Sequence, residues 1–170
     1  MESILISSCL LGERVRYDGK TALCEHPLIK RWQQQQRLVP ICPEMSGGLP
    51  CPRPAAEILG GQGDEVLSGE TQVKTRQGHD VSNHFLRGAE KALSLCQQHH
   101  INIAILKARS PSCGSSNTYN GQFQGTLVDG QGVTAALLKS SGIRLFDENQ
   151  LPQVEAYLQQ LESDPEAGAC

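Results

Sequence analysis

The sequence predicts an α/β fold, a single three-layer Rossmann-like domain built around a mainly parallel sheet. Short apolar runs of strand character alternate with segments of helical periodicity, which is the order of parallel β-α units. The length of 170 residues suits one domain with a core of its own, and no linker-like stretch divides the chain. We therefore expect one domain over residues 1–162 and a flexible tail over residues 163–170.

Four apolar runs are predicted to form the strands of the sheet. They are rich in Ile, Leu and Val, and they are short enough to be strands rather than buried helices. In chain order the predicted strands are residues 3–7, 38–41, 101–106 and 143–146. Helical spacing predicts four helices. They are residues 27–37, a long helix from Asp80 or Ser82 to about His100, residues 134–140, and a terminal helix capped by Asp147 or Asn149.

The stretch between the second strand and the long helix is less regular. Four prolines and two adjacent glycines predict that residues 43–54 form a loop. Residues 60–69 are predicted to be a glycine-rich turn. Residues 70–75 are predicted to be an edge strand, which can form a small hairpin with residues 55–59.

Three cysteines follow three of the predicted strands. Cys9 lies two residues after the first strand, Cys42 directly follows the second, and Cys113 lies in the loop K-A-R-S-P-S-C-G-S-S after the third. Ligands of open parallel sheets bind beyond the carboxyl ends of the strands. If all three strands are parallel, one edge of the sheet presents all three thiols.

The composition narrows the classes of function. A formal net charge of −3 disfavours non-specific binding to nucleic acid. No stretch approaches the roughly 20 apolar residues of a membrane helix, and no basic segment of a signal peptide precedes the first apolar run. We expect a soluble, cytoplasmic protein whose seven cysteines serve as free thiols, metal ligands or catalysts rather than as disulfides.

Three thiols at one site have several uses. Structural zinc takes four ligands, often in close C-x-x-C pairs that this sequence lacks. An iron–sulfur cluster is normally held by four cysteines, and three would leave one iron open. A nucleophilic cysteine paired with an acid or base is a third alternative. Unrelated buried thiols are the fourth, since free cysteine is among the most buried residue types.

Five segments together resemble a small bacterial family that includes the thiouracil desulfidases, formerly catalogued as a domain of unknown function. They occur in the order and spacing of that family and cover most of the chain. The segments are S-S-C-L-L-G-E-R-V-R-Y-D-G (7–19), V-P-I-C-P-E (39–44), G-G-L-P-C-P-R-P (47–54), K-A-R-S-P-S-C-G (107–114) and G-T-L-V-D-G-Q-G-V-T-A-A-L-L (125–138).

The resemblance implies a [4Fe–4S] cluster held by Cys9, Cys42 and Cys113, with one open iron that binds the substrate sulfur. It implies a non-redox reaction in which 2-thiouracil becomes uracil and hydrosulfide. Cys51 is the main rival of Cys42 as a ligand. The remaining cysteines, Cys24, Cys96 and Cys170, are predicted to have no part in the cluster.

The chemistry also needs a group that activates water. Glu44 is our first choice for the general base, because only the rigid Pro43 separates it from a ligand cysteine. Ser110, three residues before Cys113, is predicted to donate a hydrogen bond to the substrate or relay a proton, although its hydroxyl can equally cap a turn. The predicted substrate pocket also includes Ser8, Arg16, Tyr17, Asp18 and Ser112.

Two alternatives remain beside a small-molecule thiopyrimidine substrate. The first is a desulfidase of 4-thiouracil or 4-thiouridine in nucleosides or tRNA, against which the acidic charge balance counts. The second is a non-catalytic protein that only binds a metal or a cluster. The oligomeric state has no signal in the sequence.

Overall fold

A computed structural model describes residues 1–163 of the chain. The predicted flexible tail, residues 163–170, lies outside the described residues apart from Ser163, which ends the last helix. The strands are β1 Ile4–Ser7, β2 Leu38–Ile41, β3 Ala56–Ile58, β4 Val73–Thr75, β5 Ile103–Ile105, β6 Asn117–Tyr119, β7 Leu127–Asp129 and β8 Arg144–Phe146. The helices are α1 Pro27–Gln34, α2 Pro43–Ser46, α3 Gly63–Ser68, α4 Ser82–Gln98, α5 Val133–Ser140 and α6 Leu151–Ser163.

The central sheet is parallel and has the strand order β2-β1-β5-β8. The chain adds β2 on one side of β1 and then crosses over to add β5 on the other side. The sheet therefore has a topological switch point between β1 and β5, which is where open α/β sheets bind ligands.

Alternate residues of the strands supply the two faces of the sheet. Ile4 and Ile6 of β1 pack with α1 and α6 in one hydrophobic cluster. Leu5 faces the opposite side and packs with α4 and α5. Side chains alternate between the faces of a strand, so this pattern defines three layers, with α1 and α6 below the sheet and α4 and α5 above it.

Local signals explain where several helices begin. The His26 ring accepts a hydrogen bond from the Leu28 backbone N–H at 3.1 Å, and Pro27 occupies the first turn of α1. At α4, Asp80 accepts hydrogen bonds from the backbone N–H and the hydroxyl of Ser82. These contacts satisfy N–H groups that a helix leaves unpaired at its start.

The stretch between β2 and α4 differs most from the sequence-based expectation. The predicted loop 43–54 begins with the helical turn α2, and the predicted glycine-rich turn 60–69 contains the helix α3. The hairpin is present, since β3 and β4 pair antiparallel. A third hydrophobic cluster explains the result, because Val66 of α3 packs there against Phe85 of α4 and so stabilises a helix that glycines disfavour locally.

Among residues 1–163, no helix is both long and apolar enough to cross a lipid bilayer.

Candidate active site

The three predicted ligand cysteines line one cavity of about 480 Å³ at the carboxyl edge of the sheet. Cys9 lies in a 3-10 turn that directly follows β1, and Cys42 is the N-cap residue of α2 after β2. Cys113 lies in the loop after β5. The convergence expected from three parallel strands is therefore present in the structure.

Hydrogen bonds between side-chain hydroxyls and the backbone hold the segments that carry Cys9 and Cys113. The Thr21 hydroxyl donates to the Cys9 carbonyl at 3.0 Å, which holds the 3-10 turn against the following loop. The Cys113 N–H donates to the Ser110 hydroxyl oxygen at 3.0 Å. These two bonds hold the Cys9 and Cys113 segments in place.

Burial controls the acidity of the three thiols. Burial, followed by the neighbouring Cys42 sulfur, raises the pKa of Cys9 to about 11. Burial likewise raises the pKa of Cys42 and of Cys113. Nucleophilic cysteines have lowered pKa values, so these thiols do not suit nucleophilic catalysis. Coordination to a metal deprotonates a thiol outright, which makes a metal the better match for this donor set.

The donor set favours a cluster over a single metal ion. Within residues 1–163, no three His, Cys, Asp or Glu side chains are arranged to hold one ion. Each thiolate of an iron–sulfur cluster binds a different iron, so its ligands spread around a larger object. The Ser8 hydroxyl also suits a cavity that holds a bound group. It is buried, its residue lines the cavity, and it has no hydrogen-bond partner among the described residues.

The other cysteines of the described region are not among the residues that line this cavity. The Cys51 thiol donates to the backbone carbonyls of Arg14 and Arg16 at 3.2 and 3.3 Å. Cys96 is buried among apolar side chains of α4, where burial raises its pKa to about 12. Cys24 is half-buried against the first hydrophobic cluster. Cys170 lies outside the described residues.

Glu44 reaches the cavity on the first turn of α2 and forms an ion pair with Arg53. The Arg53 Nε donates to Glu44 Oε1 at 3.1 Å, and the side chains are 3% and 17% exposed, respectively. Burial raises the pKa of the Glu44 carboxyl, and the Arg53 charge lowers it in part. Arg53 also donates to the carbonyls of Pro50 and Val15, so its position is fixed.

Ser110 lines the cavity and also caps the cysteine loop. Its hydroxyl oxygen accepts from the backbone N–H groups of Ser112 and Cys113 at 3.1 and 3.0 Å. These bonds use the lone pairs of the oxygen and leave its proton free to donate into the cavity. The two roles weighed from the sequence are therefore compatible.

The remaining predicted pocket residues divide into two groups. Ser8, Arg16 and Tyr17 line the cavity. Asp18 lies outside the described lining and accepts a hydrogen bond from the Lys20 N–H in a surface turn. Ser112 also lies outside it, fully buried, with its hydroxyl 2.7 Å from that of Thr134.

Several cavity residues had no distinctive signal in the sequence. Lys107 pairs with Glu148 at 3.0 Å, and the same carboxylate accepts from the Ala108 N–H. Arg53 and Lys107 each pair with a carboxylate, Glu44 and Glu148 respectively. Ser7 lines the cavity as well, although only the pair of serines before Cys9 marks it in the sequence.

Comparisons with known proteins agree with this fold and site. The chain belongs to the 2-thiouracil desulfurase family, whose family model matches residues 4–150. A solved structure of the [4Fe-4S]-dependent thiouracil desulfidase TudS is similar to this chain, with a TM-score of 0.86 and 44% identity over 94% of this chain and 99% of that one. The uncharacterized protein YbbK of Bacillus subtilis (strain 168) is 44% identical over 151 residues, which are 89% of this chain and 99% of that protein. The predicted family and the α/β fold class are confirmed.

Proposed function

We propose that the protein removes sulfur from 2-thiouracil without net redox change, using a [4Fe–4S] cluster held by Cys9, Cys42 and Cys113. In the balanced reaction, water replaces sulfur at C2, so thiouracil and water give uracil and hydrogen sulfide, which ionises to hydrosulfide. The observation that carries the proposal is the meeting of two buried thiols, one half-buried thiol and one partly buried carboxylate in a single cavity. The substrate is a small-molecule thiopyrimidine, and the location is cytoplasmic.

The three thiols suit a soft iron site, and three ligands leave one iron of a cubane cluster without a protein ligand. When bound, the cluster supplies a Lewis acid for the thione sulfur, which weakens the C–S bond. The protein itself supplies a partly closed cavity, in which Cys9 and Cys113 are 8% and 5% exposed. This burial protects the site from bulk solvent.

Glu44 is the proposed general base. Its Oε1 is held by Arg53 at 3.1 Å, which fixes the carboxylate and leaves Oε2 to accept a proton from the attacking water. Because Arg53 makes two further bonds to backbone carbonyls, the base cannot rotate freely. Arg53 is therefore a positioning residue for the proton transfer.

Substrate contacts are assigned to Ser110, Ser8, Arg16 and Tyr17. The free proton of Ser110 can donate to an oxygen or nitrogen of the pyrimidine ring. Tyr17 is partly exposed at the cavity wall, where its ring can stack on a flat base. These contacts orient the ring so that C2 faces the water held by Glu44.

The test is turnover by anaerobically reconstituted protein with 2-thiouracil. We expect uracil and sulfide in equal amounts, without added reductant. Glu44→Gln should keep the visible cluster absorbance and lose about a hundredfold or more in kcat. Glu90→Gln, on the exposed side of α4, is the control and should retain activity. A fully loaded wild-type protein that leaves 2-thiouracil unchanged would contradict the proposal, and turnover of 4-thiouracil by that protein would favour the alternative substrate.

A further inference from the structure

Glu57 is a second acidic residue on the wall of the cavity. It is the middle residue of β3, is 9% exposed, and contributes to the cavity lining. Within residues 1–163 no ion pair joins it to a cation, although Lys74 is its cross-strand partner on β4. Glu44, by contrast, has Arg53 as its partner. A carboxylate that is buried without a cation needs hydrogen-bond donors instead.

One oxygen of Glu57 receives its donors from a single turn. Oε1 accepts the backbone N–H groups of Gly121 at 2.9 Å and of Phe123 at 3.2 Å. Both residues lie in the turn between β6 and β7. This turn packs tightly on β3, since a Cβ atom added at Gly121 would lie 2.5 Å from the Ile58 carbonyl oxygen. The two lone pairs of Oε1 are therefore used to hold the turn.

The other oxygen of Glu57 has no such partner. Within the part of the chain that the structure describes, Oε1 is the only oxygen of this carboxylate that accepts a hydrogen bond. Oε2 is also not among the fully enclosed polar atoms of that part of the chain. Anchoring the turn needs one oxygen, so a neutral amide would serve that purpose as well. An unused acceptor on a buried carboxylate of the cavity wall points to a donor that a bound molecule supplies.

We propose that Glu57 is a substrate-binding residue whose Oε2 accepts a ring N–H of the thiopyrimidine. The inference rests on the proposed function and deepens it, because it assigns the group that recognises the nitrogen edge of the substrate. In 2-thiouracil an N–H group lies on each side of the carbon that carries sulfur. A carboxylate that accepts one of them therefore also orients the C–S bond. Its charge makes it a stronger acceptor than a hydroxyl or an amide.

Phe123 adds a flat surface beside this acceptor. Phe123 and Arg76 both line the cavity, and the Arg76 guanidinium carbon lies 5.2 Å from the centroid of the Phe123 ring. The backbone of Phe123 is tied to the Glu57 carboxylate by its N–H. An aromatic ring next to an acceptor suits a flat heterocycle that stacks on one face and donates an N–H from its edge.

Kinetics of Glu57→Gln in anaerobically reconstituted protein test this role. The amide oxygen of Gln can still accept the two N–H groups of the turn, but its NH2 group opposes a ring N–H. We expect a full cluster and a kcat/KM for 2-thiouracil that falls about tenfold or more, chiefly through KM. Asp80→Asn is the matched control, because Asp80 Oδ1 also accepts two hydrogen bonds, at 2.9 and 2.6 Å, away from the cavity lining. It should keep the wild-type kcat and KM.

The 1-methyl and 3-methyl derivatives of 2-thiouracil separate recognition from a structural role. One of the two methyl groups replaces the proton that Glu57 accepts, so the wild type should discriminate against that derivative by about tenfold or more. Glu57→Gln should lose most of this discrimination, because the two changes remove the same contact. A structural role would lower kcat/KM for all three substrates by one common factor. That result, or a wild-type KM in Glu57→Gln, would overturn the inference and leave the proposed function intact.

If Glu57→Gln fails to fold or to take up iron, Glu57→Asp decides by the same comparison. It keeps a carboxylate but withdraws it from the ring by one methylene. Reduced discrimination between 2-thiouracil and the rejected derivative supports the inference, and unchanged discrimination overturns it. A fully loaded wild type that leaves 2-thiouracil unchanged would overturn the proposed function and this inference together.

Discussion

Arg53 allows a carboxylate to lie partly buried beside three thiols. An unpaired carboxylate in such a place would be strongly disfavoured, and the guanidinium at 3.1 Å offsets that cost. The sequence pointed to Glu44 because it follows a cysteine and a proline. It could not identify Arg53 as the partner, because a lone arginine in a proline-rich loop has many possible partners. Only the folded backbone selects one.

Arg53→Met should destabilise the protein by about 3 kcal/mol, because it leaves the Glu44 carboxylate without its partner. The free energy of unfolding can be measured by urea denaturation of the apoprotein. In a Glu44→Gln background the same substitution should cost clearly less, since no buried charge is left unpaired. An equal loss in both backgrounds would show that the Glu44–Arg53 pair is not the cause.

At the scale of elements, the packing of α2 on α4 fixes the position of Cys42 and Glu44. A Cβ atom added at Gly88 would lie 2.0 Å from the Pro43 carbonyl oxygen, and one added at Gly47 would lie 1.9 Å from the His84 carbonyl oxygen. Both contacts are with backbone, which cannot turn aside. The two helices approach this closely only because both positions are glycine.

Gly88→Ala should therefore destabilise the protein by about 2 kcal/mol through overpacking. The sign of the change in unfolding free energy is informative, because replacing glycine by alanine inside a helix normally stabilises the helix by roughly 1 kcal/mol. Urea denaturation measures the effect, and the displaced α2 should also reduce iron uptake. Ser94→Ala, at an exposed position of α4, is the control and should not destabilise the protein. A stabilised Gly88→Ala protein would contradict the close packing.

The elements differ in how well the sequence predicts them. The strand at residues 38–41 has the predicted bounds, because its apolar run is short and ends at a cysteine and a proline. The glycines around α3 predicted a turn, and the tertiary contacts of Val66 overrode that local preference. The strand β6 was not predicted, since its pairing with β7 depends on a partner that the local sequence does not reveal.

At the scale of the molecule, the site joins three parts of one sheet. Cys9, Cys42 and Cys113 follow β1, β2 and β5, and Lys107 with Glu148 adds the loop after β8. The alternation of strands and helices made this convergence predictable. The two ion pairs at the cavity were not predictable residue by residue, because 9 positions separate Glu44 from Arg53 and 41 separate Lys107 from Glu148.

Binding of a cluster should therefore stabilise the whole fold. A ligand that binds only the folded protein raises the unfolding temperature, and metal ligands rarely have a preformed site in the unfolded chain. Anaerobic calorimetry of the apo and reconstituted forms measures this shift. Cys51→Ala should show the same rise as the wild type, whereas Cys113→Ala should lose most of it. Equal unfolding temperatures for the apo and loaded wild type would count against a cluster that links the three strands.

The central claim is that Cys9, Cys42 and Cys113, and not Cys51, hold a [4Fe–4S] cluster. The most direct measurement is iron and acid-labile sulfide per chain after anaerobic reconstitution of the wild type and the single alanine variants. We expect about four of each for the wild type and for Cys51→Ala, and a large loss for each of the three ligand variants. A wild type without iron, or a Cys51→Ala protein that loses the cluster while Cys42→Ala keeps it, would contradict the account.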